Sequence, residues 1–228
     1  MSPQRIVISL GGSLFIPETI DVAFLRSFKT LIQERIAAGE TFIIVVGGGK
    51  LARQFQGAGR ELADLSQADV DWLGIYATRL NAEFMRIIFQ DQAYERIIVD
   101  PNEVIETTAP IIFGAGAEPG VSTDYDAVLM GKGANAKKII NLSNTSYVYD
   151  KDPKKNPDAK TMKSLTWAEY RALIPATWEP GLNTPFDPIA SKEAQESAME
   201  VVIMDGTKLE EVKKYLQGEP FEGTTIRP

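Results

Sequence analysis

Two glycine-rich turns, Gly11-Gly12-Ser13 and Gly47-Gly48-Gly49-Lys50, each follow a short run dominated by apolar residues, and Arg53 lies one helical turn beyond the second. A glycine turn between a parallel strand and its helix lets backbone N–H groups approach an anion at the positive helix end. Lys50 and Arg53 add positive charge there, and an arginine grips two phosphate oxygens at once. The second turn is not a Walker A loop, because Leu51 follows Lys50 where that motif has Ser or Thr. The plain alternative is a tight turn with two solvated basic residues. One βα unit separates the turns, which places them side by side at the strand C-termini, where α/β proteins take ligands. The chemistry this suggests is the alignment of two phosphorylated molecules and movement of a phosphoryl group between them.

Three further clusters fit that chemistry. Gly114 to Asp124 forms a third glycine-rich turn after a strand, in which Ser122 and Thr123 have hydroxyls for phosphate and Asp124 suits the N-cap of the next helix. Asp69 and Asp71 are placed either to accept from a ribose or to favour a helix N-terminus through its dipole. Asn144 to Pro153 contains Tyr149 and Asp152, a pair able to stack on a purine and hold its sugar, although Asp-Lys-Asp-Pro is also an ordinary turn.

Composition narrows the mechanism. The 228 residues contain neither Cys nor His. That removes disulfides, thiolate nucleophiles, Ser-His-Asp and Cys-His catalysis, and the side chains best suited to a transition metal. Asp, Glu, Lys, Arg, hydroxyls, backbone dipoles and a hard cation such as Mg²⁺ remain. A net charge of -7 argues against nucleic acid or an anionic membrane as the main partner. The chain enters a strand almost at once without a basic and apolar leader, and no apolar run approaches membrane-spanning length. A soluble, cytoplasmic protein is expected.

The elements that must hold these residues alternate between short apolar runs and longer helical periods, which predicts an α/β fold with a mainly parallel sheet. Strands are expected at Arg5–Leu10, Thr41–Val46, Arg96–Val99, Pro110–Phe113, Lys138–Leu142 and Val201–Met204, with Thr224–Ile226 as a closing edge strand. Asp21 caps an expected helix that ends at Gly39, and Asp69–Gln90 and Asp124–Ala134 are two more. Pro185 and Pro188 bracket the start of a helix ending near Ser197, and Lys208–Leu216 form the last. Lys151–Lys163 is predicted to be a surface excursion and Thr177–Pro185 a mobile loop.

The order and spacing of these pieces resemble the amino acid kinase superfamily, and within it the archaeal-type uridylate (UMP) kinases, over essentially the whole chain. The most specific segments are Gly47–Arg53, Asp71–Ala82 and Val148–Lys160, with Phe186–Lys192 and Gly223–Ile226 in support. The resemblance implies an open three-layer αβα sandwich of one domain, residues 1–228. Its acceptor half would run to about residue 120 and its ATP half over about residues 121–228, with ATP and Mg²⁺ as cofactors. It implies that Gly48 contacts the UMP phosphate and Asp71 its ribose, while Glu118, Pro119, Gly120, Val121, Ser122, Thr123 and Asp124 wrap the uridylate. Gly12 and Ser13 would line the path of the transferred group, with Gly49 and Arg53 nearer the ATP phosphates. Ser143, Asn144, Tyr149 and Asp152 match adenine and ribose contacts.

Lys50, Arg53 and Asp124 are the catalytic candidates, Asp124 for orienting basic groups or Mg²⁺, and Lys192 is a further cation able to reach phosphates from its helix. No protein-held metal is expected. Where the family carries Asp-Gly in its nucleotide motif, this chain has Ser146-Tyr147, and an unusual Tyr125-Asp126 follows Asp124. The implied reaction is ATP + UMP giving ADP + UDP, in a homohexamer built as a trimer of dimers with the Asp69–Gln90 helix as a dimer surface. The alternatives are a sibling small-molecule kinase, or a non-catalytic nucleotide-binding container similar to molybdenum storage proteins.

Overall fold

The computed structural model describes residues 5–177 and 184–228. Its strands are β1 (Ile6–Leu10), β2 (Phe42–Val46), β3 (Ile111–Gly114), β4 (Lys138–Ser143), β5 (Val148–Tyr149), β6 (Thr161–Met162), β7 (Ser164–Thr166), β8 (Glu200–Asp205) and β9 (Thr224–Arg227). Its helices are α1 (Val22–Ala37), α2 (Gly49–Leu62), α3 (Gln67–Phe89), α4 (Thr123–Gly133), α5 (Trp167–Leu173), α6 (Pro188–Glu196) and α7 (Leu209–Leu216). A single 3-10 turn, Gly12–Leu14, follows β1.

Seven strands form one sheet in the order β3-β2-β1-β4-β8-β9-β7, and β5 and β6 make a separate antiparallel hairpin. The run β3-β2-β1-β4-β8 is parallel throughout. Both faces are buried, so these strands are apolar at nearly every position instead of alternating. Ile8, Leu10, Phe42, Ile44 and Val46 pack under α1, α3 and α7, in a core completed by Phe28, Ile32, Met85, Phe89 and Val212. Val7, Ile43, Val45, Val201 and Ile203 face α4, α5 and α6, against Val128, Trp167, Tyr170, Ala190 and Ala194. The result is the three-layer αβα sandwich expected from the alternating pattern.

Helix ends follow local chemistry. Asp21 caps α1 by accepting from the Phe24 amide at 2.9 Å. Helix α3 starts two residues earlier than the expected Asp69, because Ser66 and Asp69 form a reciprocal capping box. Asp187 caps α6 through the Ile189 and Ala190 amides at 2.8 and 3.0 Å, with Pro188 in the first turn.

Three expectations need correction. Arg96–Val99 is not a strand: Ile98 makes one isolated bridge to Gly114. The cap of α4 is Ser122, whose hydroxyl accepts from the Tyr125 amide at 3.2 Å, so Asp124 lies inside the first turn. The Thr224–Ile226 segment is a strand but not an edge, since β9 runs antiparallel to β8 and parallel to β7, which takes the edge. Of the loop expected at Thr177–Pro185, residues 178–183 lie outside the described residues.

The buried Thr224 hydroxyl ties the smaller hairpin to the sheet. It accepts from the Val148 amide at 2.9 Å and donates to the Met162 carbonyl at 2.6 Å. Among the described residues, no helix is long and apolar enough to cross a membrane. The α4 cap supplies a test: Ser122→Ala leaves an orphan amide and is expected to lower unfolding free energy by about 1 kcal/mol in urea titration.

Candidate functional site

Parallel pairing brings the C-terminal ends of β1, β2, β3, β4 and β8 to one edge of the sheet. The register Leu10↔Val46 sets the two glycine turns at the same level. They then touch through backbone. A Cβ added at Gly12 would lie 2.3 Å from the Gly49 nitrogen and 2.4 Å from the Gly47 carbonyl oxygen, so no side chain fits there. Gly49 has φ +61°, a conformation that favours glycine, and opens α2. The buried Asn81 amide of α3 donates to the Gly47 and Gly48 carbonyls at 2.9 and 3.1 Å. With its carbonyls held from behind, the turn precedes a helix whose first N–H groups have no intrahelical acceptor.

Two cations, Arg53 and Lys50, sit at this junction. The Arg53 guanidinium donates to the Ser13 hydroxyl at 3.3 Å, which links the second turn to the first. Lys50 pairs with Glu18 at 3.0 Å. Lys192 is exposed on α6 and pairs with Glu196 of its own helix at 3.8 Å. The exposed pairs contribute little to stability.

Beneath the turns, Asp124 bridges two central strands. One carboxylate oxygen accepts from the Ser9 hydroxyl of β1 and the Asn141 amide of β4, both at 2.7 Å. Ser9 and Asn141 are nearly fully buried in strands that are otherwise apolar. Ser122 donates a hydrogen bond to Asp187, so the α4 cap leans on the α6 cap. Burial of the Asp124 carboxyl and the nearby Asp187 charge push its pKa up to about 7, against the Ser9 and Asn141 bonds that favour the charged form.

The loop after β3 is fixed by its backbone. Thr78 accepts from the Gly116 amide at 2.8 Å, and Arg79 donates to the Gly116 and Ala117 carbonyls at 3.2 and 2.9 Å. Asp71 accepts from the Gly120 amide at 3.0 Å and from Gln67 at 2.7 Å. Asp69, by contrast, serves the α3 cap. Glu118, Pro119, Gly120, Val121, Ser122 and Thr123 therefore lie between Asp71 and Asp124.

On the other side, Ser143 and Asn144 follow β4 beside the first turn, where the Gly11 amide donates to the Leu142 carbonyl at 2.8 Å. Ser146 donates to Asp205 at the end of β8 at 3.4 Å. Tyr149 lies in the β5–β6 hairpin. The Asp152 carboxylate accepts from the Lys154 amide at 2.9 Å within its own exposed turn.

The structure thus gathers Gly12, Ser13, Gly48, Gly49, Arg53 and Asp124 around one junction, with Asp71 and residues 118–123 on one flank and Ser143–Asn144 on the other. Tyr149 and Asp152 lie farther along the excursion. Sequence reasoning missed the roles of Ser9, Arg79, Asn81, Asp126, Asn141 and Asp187. Ser9 and Asn141 had a readable signal, as single polar residues inside apolar strand runs.

The pattern of the amino acid kinase family matches residues 4–205, which takes in both turns, the loop after β3 and the β4–β8 region. The chain belongs to the amino acid kinase family. Within that family it is similar, at 34% identity over 226 residues, to the uridylate kinase of Methanobrevibacter smithii, covering 98% of this chain and 99% of the other. It is also 34% identical over 228 residues to the uridylate kinase of Methanothermobacter thermautotrophicus, covering 99% and 100%. Among solved amino acid kinase structures, the uridylate kinase from Archaeoglobus fulgidus superposes with a TM-score of 0.84 at 32% identity, covering 97% of this chain and 99% of that one.

Asp124 and Asp126 give this site a pH signature. Asp126 is 1% exposed, and burial pushes it, too, up to about 7. For an acid raised in the folded state, the stabilising contribution is complete below about pH 4 and is lost as pH rises through about 7. The loss is at most about 4 kcal/mol per carboxyl. Unfolding free energy measured in urea should therefore fall from pH 5 to pH 8. Asp126→Asn removes one of the two groups and should flatten that slope; an unchanged slope contradicts the assignment.

Proposed function

We propose that this amino acid kinase transfers the γ-phosphoryl group of ATP to UMP, giving ADP and UDP. The observation that carries the reading is the backbone contact between the two glycine turns, with Arg53 and Asp124 at the junction. Full-length similarity to uridylate kinases supports UMP as the acceptor.

The acceptor sits on the first half of the chain, to about residue 120, and ATP on the second, over about residues 121–228. The Gly48 backbone meets the UMP phosphate, Asp71 meets its ribose, and Glu118 to Asp124 close around the nucleotide. Gly49 and Arg53 hold the ATP phosphates, with Gly12 and Ser13 along the transfer path. Ser143, Asn144, Tyr149 and Asp152 receive the adenine and its ribose.

An oxygen of the UMP phosphate forms the new bond to the γ-phosphorus as the bond to the β–γ bridging oxygen breaks, and ADP leaves with that electron pair. Such a transfer needs alignment and charge neutralisation more than covalent help. The glycine turns align the two phosphates, and Lys50 and Arg53 offset their charge. Asp124, raised toward neutrality and bonded to both central strands, orients its surroundings.

Mg²⁺ suits this donor set as an ion carried by ATP. Asp124 offers a hard oxygen, while among the described residues no group of three or more acidic side chains could hold a metal by itself. When bound, the ion would neutralise phosphate charge.

A second copy of the chain is the proposed partner. Trp72, Tyr76, Leu80 and Ile87 are exposed along α3, an apolar stripe at helical spacing that an assembly of dimers would cover.

Two measurements test this reading. A coupled ADP-release assay with ATP–Mg²⁺ should show turnover that depends on UMP, falling roughly 10²-fold in kcat for Arg53→Ala and for Asp124→Asn. ATP binding without turnover on any acceptor would instead favour a nucleotide-binding container. Sedimentation should show an oligomer that Tyr76→Asp shifts toward smaller species; a monomeric wild type would remove the partner.

A further inference from the structure

We propose that Asp126 is a positioning residue for acceptor binding, holding the Ala117 amide from beneath the loop that receives the nucleotide. The inference rests on the proposed acceptor role of that loop and extends it to a residue outside the expected contact set.

Four side chains pin this loop through its backbone. Thr78, Arg79 and Asp71, all on α3, hold Gly116, the Gly116 and Ala117 carbonyls, and Gly120. The fourth is Asp126 on α4, whose carboxyl accepts from the Ala117 amide at 3.3 Å. Arg79 and Asp126 thus hold the two ends of residue 117, one at its carbonyl and one at its amide. Arg79 is itself steadied by the Trp72 and Tyr76 rings, 5.6 and 5.4 Å from its guanidinium carbon.

Stability does not account for a carboxyl at this position. The α4 residues beside it, Ala127, Val128 and Met130, are buried in the apolar core. Asp126 is as buried as they are, and its second oxygen has no hydrogen-bond partner among the described residues. Burying a polar atom without a partner is costly, and an apolar side chain would avoid that cost. What an apolar side chain cannot supply is an acceptor for Ala117. The helix gives up one core position to hold the peptide next to Glu118, where the uridylate-wrapping segment begins.

The experiment compares the full-length wild type, Asp126→Ala, Asp126→Leu and Asp126→Asn, with the KM for UMP and for ATP measured separately. Hydrogen exchange of the Ala115–Gly120 amides is followed in the absence of substrate. Asp126→Ala and Asp126→Leu remove the acceptor for Ala117 and should raise the UMP KM roughly tenfold, with the ATP KM held within about twofold. Asp126→Asn keeps an oxygen for Ala117 and should hold the UMP KM within about twofold of wild type. Loop exchange should quicken in Asp126→Ala and Asp126→Leu.

An unchanged UMP KM in Asp126→Ala and Asp126→Leu, or an ATP KM that rises in step, overturns the proposal, as does unaltered loop exchange. Should wild type fail to use UMP, the functional reading falls on that result alone, and the substrate-free exchange still decides whether Asp126 holds the loop. Asp126→Leu, apolar and close in shape, keeps the test usable where Asp126→Ala fails to fold.

Discussion

Everything at the candidate site depends on two stretches of backbone lying closer than any side chain allows. Gly12 and Gly49 meet because β1 and β2 are parallel neighbours that end at the same level. A methyl group at position 12 would overlap the Gly47 and Gly49 backbone, so the turns would have to part. Asn81 holds the second turn by its carbonyls, a constraint delivered from the interior of α3. Two glycine turns in backbone contact suit the proposed reaction, in which one phosphoryl group passes directly between two nucleotides.

The same region carries a cost in stability. Ser9 and Asn141 place polar groups in central strands whose other positions are apolar, and Asp124 joins them. One Asn141 oxygen and one Asp126 oxygen are buried without a hydrogen-bond partner among the described residues. Two nearby carboxyls with raised pKa values mean that the folded state resists ionisation here. The arrangement fits the general tendency for active sites to retain groups that a purely stable fold would replace.

Much of this was readable from the chain. Apolar runs ending in glycine turns located β1, β2 and β3, and Asp21, Pro188 and Gly39 marked helix ends as expected. Helix α2 buries only Ala52, and the glycine turn before it announced it. The miss at Arg96–Val99 came from reading a short apolar run as a strand when only Ile98 pairs. Asp124 looked like a cap because Asp is a good one; Ser122 takes the cap, and Asp124 is left to meet Asn141, 17 positions on, and Ser9, 115 positions back, a partnership no local pattern shows. Long-range partnerships such as Asp71 with Gly120 leave no local pattern to read.

The placement of β9 bears on how the molecule is made. β7 pairs with β9, and the β5–β6 hairpin hangs from the Thr224 hydroxyl. On a ribosome, β1 to β4 can align once β4 has emerged, because each of their partners is then present. Residues 148–166 must wait longer, for residues 224–227. Assembly of the β5–β7 segment is therefore expected to follow that of β1 to β4, which leaves it exposed to chaperones and proteases while the chain is being translated.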